Sequence, residues 1–194
     1  MTRQLNPDPQ MTSIWQRYSP GTSAGIPAEV IDWIALETSM TARLSQVAGQ
    51  RIDVEVLRQA EAPLRPDEEP LFGDPAAPAL VREVCLSAAG QSLLVARTAL
   101  TSQALQTHPT IVKLGNTALG SLLFAGPKPC PFTVREFARL RPGDPLYDLV
   151  RSRHAPAAPD YWGRRTLFWL FDEPLLVTEI FVPELLALPG TARG

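Results

Sequence analysis

The chain is poor in the residues that build metal centres and covalent cross-links: its 194 residues hold two cysteines and two histidines. Cys85 and Cys130 are far apart, with no Cys-x-x-Cys spacing, which fits reduced structural thiols and excludes a disulfide framework. His108 and His154 stand alone, so no metal site is expected. Long apolar runs are missing too, and with them any segment able to span a bilayer. Met1 to Gln10 is polar and broken by proline, which is not a secretory signal, so a cytoplasmic location is expected. Charge of one sign is nowhere blocked: the net charge is −2 and the charges are scattered, leaving no basic stripe for nucleic acid.

Two partial motifs fail on what surrounds them. Gly21-Thr22-Ser23-Ala24-Gly25 matches Gly-x-Ser-x-Gly but lacks the buried strand that a nucleophile elbow follows. Gly115 to Gly120 has the glycine spacing of a phosphate loop, but Ser121 stands where the lysine is required. A glycine-rich start to a helix can still offer backbone N–H groups to a carboxylate, so this stretch stays an anion contact in prospect.

What is present reads as one α+β domain with an antiparallel sheet. Residues 1–25 form an expected mobile leader, 26–186 the folded domain and 187–194 a tail. Val30, Ile31 and Ile34 give helical spacing over Ala28 to Thr38, and Ser39 is placed to cap a second helix through about Gln46. Ile52, Val54 and Val56 alternate with polar residues as in a strand with one wet face. The proline-rich Ala62 to Ala79 is expected as an extended surface loop. Val81 to Ser87 and Ser92 to Leu100 flank a turn at Gly90, Thr117 to Phe124 reads as a short buried helix, and Thr133 to Leu140 as a strand. Arg141 to Asp160 is a long connection rich in proline and charge. Trp162 to Pro183 then reads as a hairpin turning at Asp172-Glu173.

Charged residues on apolar strand faces mark the candidate site. By period-two alternation Leu175, Val177, Glu179 and Phe181 share a face, so Glu179 occupies a position that a buried strand would fill with an apolar side chain. With an even loop Glu179 lies opposite Thr166 and diagonal to Arg164; with an odd loop it meets Arg165. A structural ion pair and a carboxylate held dry for chemistry are both open on these residues. Arg82 shares a face with Val84 and Leu86, and a two-residue turn at Gly90 puts Arg97 on that same face. Two arginines on one face either solubilise a wet sheet or receive a carboxylated ligand.

Taken in order, Trp-Ile-Ala-Leu-Glu-Thr-Ser-Met-Thr at 33–41, Val-Arg-Glu-Val at 81–84, Ala-Arg-Thr at 96–98, Lys-Leu-Gly-Asn-Thr-Ala-Leu-Gly at 113–120, Trp-Gly-Arg-Arg at 162–165 and Leu-Leu-Val-Thr-Glu-Ile-Phe-Val-Pro at 175–183 resemble the chorismate pyruvate-lyase family of ubiquinone biosynthesis. The resemblance implies a six-stranded antiparallel sheet with helices packed on it and covering an enclosed site. It implies a cofactor-free lyase, a carbon–oxygen bond cleavage that eliminates pyruvate from chorismate and leaves 4-hydroxybenzoate. By motif, Arg82 would hold the ring carboxylate and Glu179 the 4-hydroxyl, with the backbone at Met40 and Leu119 completing the site. Strand geometry, rather than the family, offers Arg97 or Arg164 for the second carboxylate of chorismate. Ala118 departs from the proline expected there. A monomer is expected, and a small planar acid enclosed beneath lids and gripped by Arg82 and Glu179 is expected to leave slowly and to inhibit as product. The competing reading is a non-catalytic aromatic-acid sensor domain of the same fold, for which about 25 residues before the first helix leave no room for a winged helix.

Overall fold

The computed structural model describes residues 14–21, 25–73, 79–107, 109–124 and 130–188. His108, Thr22-Ser23-Ala24 of the failed elbow motif, residues 74–78 of the proline-rich stretch, residues 1–13 of the leader and residues 189–194 of the tail lie outside the described residues.

Helix α1 (Ala28–Ala35) follows Pro27 and buries Val30, Trp33 and Ile34. It ends short of the expected Thr38 because Ser39 takes an extended conformation to cap α2 (Met40–Ala48), its Oγ accepting from Ala42 N at 3.3 Å. Gly49, at a φ of 66°, closes α2 in the left-handed conformation.

Seven strands pair antiparallel throughout, in chain order β1 (Gln16–Arg17), β2 (Asp53–Ala62), β3 (Ala79–Ala88), β4 (Gln91–Thr101), β5 (Phe132–Leu140), β6 (Tyr161–Leu170) and β7 (Glu173–Phe181). Across the sheet the order is β1-β5-β6-β7-β4-β3-β2. The expected count was six. The seventh is β1, a two-residue edge strand against Phe137 and Glu136 whose residues fall inside the segment read as a leader. The sheet is two sequence-local meanders, β2-β3-β4 and β5-β6-β7, joined by the pairing of β4 with β7.

Two details of register decide which side chains face which way. In the β3–β4 hairpin, Ala89 and Gly90 turn with positive φ, as a type I′ turn requires. The ladder then shifts between Leu86 and Ser87, so that Leu86 faces Leu94, Ser87 faces Ser92, and Leu93 is an extra residue. Without that bulge Arg82 would oppose Arg97; with it Arg82 opposes Thr98 and Arg97 opposes Glu83. In the β6–β7 hairpin the turn residues are Phe171 and Asp172, both at positive φ, and Glu173 belongs to the strand. The turn therefore sits one residue earlier than the expected Asp172-Glu173, and Glu179 lies directly opposite Arg164 rather than Thr166.

Helices cover both faces. On the front, α1 and α2 pack with Leu86, Leu94, Phe137 and Phe181 into one apolar cluster. A second front cluster joins Leu80, Leu100, Phe168, Leu175 and Val177 to Ala104, Ile111 and Leu123, which come from the helical segment beyond β4. On the back, the 62–73 segment contains a short helix, α3 (Glu69–Phe72), and brings Leu64 and Phe72 against Ala79 and Ala99. It was expected as an extended surface loop, but Glu68 within it is 2% exposed. Beyond β4 the front is closed by α4 (Ser102–Thr107), a 3-10 turn (Pro109–Leu114) and α5 (Gly120–Leu123). The 141–160 connection contains α6 (Pro145–Arg151), capped by Asp144 and packed on the back beside Ala138, Leu140 and Ile180. The last helix is α7 (Pro183–Leu186).

Candidate active site

A cavity lies on the front of the sheet between its two apolar clusters. Met40 and Thr41 of α2, Ala118, Leu119, Gly120, Leu123 and Phe124 at α5, and the strand residues Val84, Leu94, Ala96, Thr98, Phe168 and Val177 line it. Into this apolar space come three charged side chains, Arg82, Arg164 and Glu179. At the seam between α2 and α5 the Gly120 backbone comes close to the Ser39 side chain: a Cβ on Gly120 would stand 2.9 Å from Ser39 Oγ.

Arg82, on β3, is 3% exposed, and its partners among the described residues are all neutral. Its Nη1 donates to Gln59 Oε1 at 2.9 Å, and its Nη2 to the carbonyls of Gly115 at 2.7 Å and Thr117 at 3.3 Å. Gln59 in turn donates from Nε2 to the Val112 carbonyl at 2.9 Å, tying the edge strand β2 to the 3-10 turn. Among the described residues no carboxylate lies within 4.0 Å of Arg82. Burial without an anion pulls its pKa down from the usual value.

Glu179, on β7, is 8% exposed, and its Oε2 accepts from Arg164 Nε at 2.6 Å. Arg164 spends Nη1 on the carbonyls of Trp33 at 2.9 Å and Leu36 at 2.7 Å, the end of α1. No hydrogen bond among the described residues engages Glu179 Oε1 or Arg164 Nη2. The ion pair expected as one reading is present, and it leaves one donor group and one acceptor over at a cavity wall.

Of the residues anticipated from sequence, Met40, Arg82, Leu119, Arg164 and Glu179 all line this cavity. Arg97 does not. The Leu93 bulge sends it to the back, where Nε and Nη2 bind both oxygens of Glu68 at 2.8 and 2.9 Å and Nη1 binds Glu83 at 3.0 Å. Burial depresses the Arg97 pKa, but the Glu68 and Glu83 carboxylates outweigh it and the net direction is up. Arg165 has a parallel role on the same face, binding Glu136 at 2.6 Å and Asp67 at 3.0 Å with its guanidinium stacked 4.6 Å from the Trp15 ring centroid.

Sequence reasoning missed two polar residues of the front. Gln59 orients Arg82 from the neighbouring strand, and Arg135 of β5, 7% exposed, stands opposite Thr166. Only the alternation of β5 could have pointed to Arg135, and that strand mixes charged and apolar residues on both faces.

A family model described as chorismate lyase matches residues 10–188. The chain belongs to the chorismate lyase family. Among its relatives is a protein of Methylococcus capsulatus (strain Bath) named "Probable chorismate pyruvate-lyase", 36% identical over 166 residues that cover 82% of this chain and 98% of the relative. Another is the chorismate pyruvate-lyase of Enterobacter sp. (strain 638), 31% identical over 165 residues covering 80% and 83% of the two chains. By backbone the chorismate lyase domain is similar to PhnF from Mycobacterium smegmatis, with a TM-score of 0.57 at 15% identity over 77% of this chain and 65% of that one. The isolated effector domain of PhnF gives 0.53 at 14% identity over 76% and 90%. Likeness at that identity carries the fold and nothing further.

Proposed function

We propose that this protein is a chorismate pyruvate-lyase that converts chorismate to 4-hydroxybenzoate and pyruvate, the step that commits chorismate to ubiquinone. The observation that carries the reading is the pairing, in a chorismate lyase family chain, of a buried Arg82 that meets only neutral acceptors among the described residues with a Glu179 carboxylate across the same cavity. A cation so placed lacks its anion, and a ring carboxylate supplies it. The relatives named as lyases match at 31–37% identity, whereas the effector-domain likeness rests on backbone shape at 14–15%, so the lyase reading is preferred to the sensor one.

In this reading Arg82 grips the ring carboxylate with the donor capacity left on its guanidinium, and Gln59 with the Gly115 and Thr117 carbonyls fixes the plane of that fork. Across the ring Glu179 Oε1 accepts from the 4-hydroxyl. Backbone groups at Met40 and Leu119, at the starts of α2 and α5, close the site over the ligand. Arg164 Nη2 meets the enolpyruvyl carboxylate. C4 loses its proton, the C3–O electron pair departs with the enolpyruvyl oxygen, and the ring becomes aromatic. The released enol tautomerises to pyruvate. Because aromatisation drives the step, positioning and charge stabilisation supply the acceleration, and Glu179 is placed to receive the proton or to orient the hydroxyl beside it.

Every side chain in this account comes from one protomer, so a monomer suffices. No described helix is long and apolar enough to cross a membrane. The test is direct: purified protein with chorismate, followed by 4-hydroxybenzoate absorbance and by pyruvate in a coupled assay, with EDTA present. Equimolar appearance of both products is expected. Absence of both, or a strict need for added metal or nucleotide, would overturn the assignment.

A further inference from the structure

Three buried arginines share the front of the sheet with one buried carboxylate, Arg82, Arg135 and Arg164 against Glu179. Among the buried side chains of this face three positive charges stand against one negative, and the exposed Glu37 carboxylate acts on Arg135 only from a distance. Buried charge of one sign is costly unless something compensates it. A protein that wanted only solubility would put such residues in water, so the imbalance points to a ligand bearing two negative charges.

Arg82 and Arg164 reach the cavity wall, but Arg135, opposite Thr166 on the same face, is not among the residues that line it. Its Nε donates to Thr166 Oγ1 at 3.4 Å, its Nη1 to the Ala35 carbonyl at 3.3 Å, and its guanidinium carbon stands 4.4 Å from the Phe132 ring centroid. No described carboxylate is within 4.0 Å of it. Ala35 is flanked by the two carbonyls that Arg164 caps, Trp33 and Leu36, so both guanidiniums are fastened to one turn at the end of α1. That turn has no basic residue of its own. Capping alone does not account for Arg135, since a neutral amide could serve one carbonyl without a buried charge.

We propose that Arg135 is a positioning residue for the second carboxylate of the ligand: it braces Arg164 against α1 and supplies a buried positive charge that no described carboxylate contacts. Of the two residues that sequence geometry offered for this carboxylate, Arg97 and Arg164, the Leu93 bulge removes Arg97 from the front. The proposal deepens the lyase reading and takes its ligand from it. Burial first, and then repulsion from Arg164, pull the Arg135 pKa to about 10, which leaves it a cation at neutral pH. A bound dianion relieves both effects.

Two probes that differ by one carboxylate test it, 3-(carboxymethoxy)-4-hydroxybenzoate and 3-methoxy-4-hydroxybenzoate, each titrated calorimetrically into the full chain. Wild type is expected to prefer the dianion. Arg135→Gln should cut that preference about tenfold, the scale of one unit charge acting through a protein interior. Arg135→Lys, which keeps the charge, should hold the preference within about threefold of wild type. Equal weakening of both probes in Arg135→Gln is the signature of a structural role alone and would overturn the proposal. So would an unchanged preference, or a wild type with none. If Arg135→Gln does not fold, Arg135→Lys decides: a tenfold loss of preference with the charge retained overturns the charge argument. Chorismate turnover by wild type is read separately. Dianion preference without pyruvate release would sink the lyase reading and leave the role of Arg135 standing.

Discussion

The two faces of one sheet treat buried arginine in opposite ways. On the back, one row across five strands runs Glu83, Arg97, Thr178, Arg165, Glu136, with Asp67 and Glu68 added from the 62–73 segment. Each guanidinium there is matched by carboxylates, and Arg97 holds its proton more tightly than usual despite burial. On the front, Arg82 and Arg135 meet only neutral acceptors among the described residues, and both have depressed pKa values: burial lowers each, and Arg135 is lowered further by Arg164 against a weaker pull from Glu179 and Glu37. On the proposed reading the same residue type is a staple on one side and a receptor on the other. What separates the two roles is whether the fold itself supplies the anion.

That contrast can be broken by removing one partner on each side. Glu68→Ala strips the bidentate partner from buried Arg97 and should destabilise the fold by about 4 kcal/mol, as expected for a buried charge left short of its partner. Affinity of the folded fraction for 4-hydroxybenzoate should be unchanged, measured by denaturant unfolding and calorimetry together. Arg82→Ala should do the reverse. It removes a cation that has no carboxylate, so stability should move little while the same acid binds more weakly by about 3 kcal/mol. If Arg82→Ala unfolds the protein with affinity preserved, the front is structural and the comparison fails.

The smallest effect sharpens the front itself. At about 100 times its dissociation constant 4-hydroxybenzoate should stabilise the native state by about 2.7 kcal/mol, a melting shift of roughly 5 to 10 °C for a chain of this size. Benzoate, which lacks the hydroxyl proposed to meet Glu179 Oε1, should shift the melt less at equal concentration, and Glu179→Gln should narrow the gap between the two acids. Equal shifts on wild type would mean that Glu179 does not read the hydroxyl.

Much of the front was legible in the sequence because strand alternation exposes a misfit. Glu179 among Leu175, Val177 and Phe181 is visible from spacing alone, and so is Arg82 beside Val84 and Leu86. Two of the failures are errors of register. One extra residue at Leu93 flips the face of Arg97, and a turn placed one residue earlier slides Glu179 by two positions along β6; neither the Leu93 bulge nor a type I′ turn on Phe171 has a strong local signal, since Phe is an unusual residue at positive φ. Glu68 was hidden for another reason: in a proline-rich stretch a carboxylate looks solvated, and only the tertiary position of Arg97 shows what it does. Arg135 escaped because Val134, Glu136 and Ala138 on one side and Arg135, Phe137 and Arg139 on the other give β5 no clean apolar face.

The division of the sheet into two meanders bears on the order of events when the chain unfolds. Arg82 belongs to the first meander, Arg164 and Glu179 to the second, and the seam between them is the β4–β7 ladder. A molecule held between Arg82 and Glu179 is a non-covalent rivet across that seam. The two meanders are built from near neighbours in sequence and can form early; their docking closes the long loop between β4 and β7 and comes later. Product bound after docking then acts as a kinetic lock: unfolding that begins by parting the meanders must first expel it, so occupancy lengthens the lifetime of the native state by slowing the unfolding rate rather than by speeding folding.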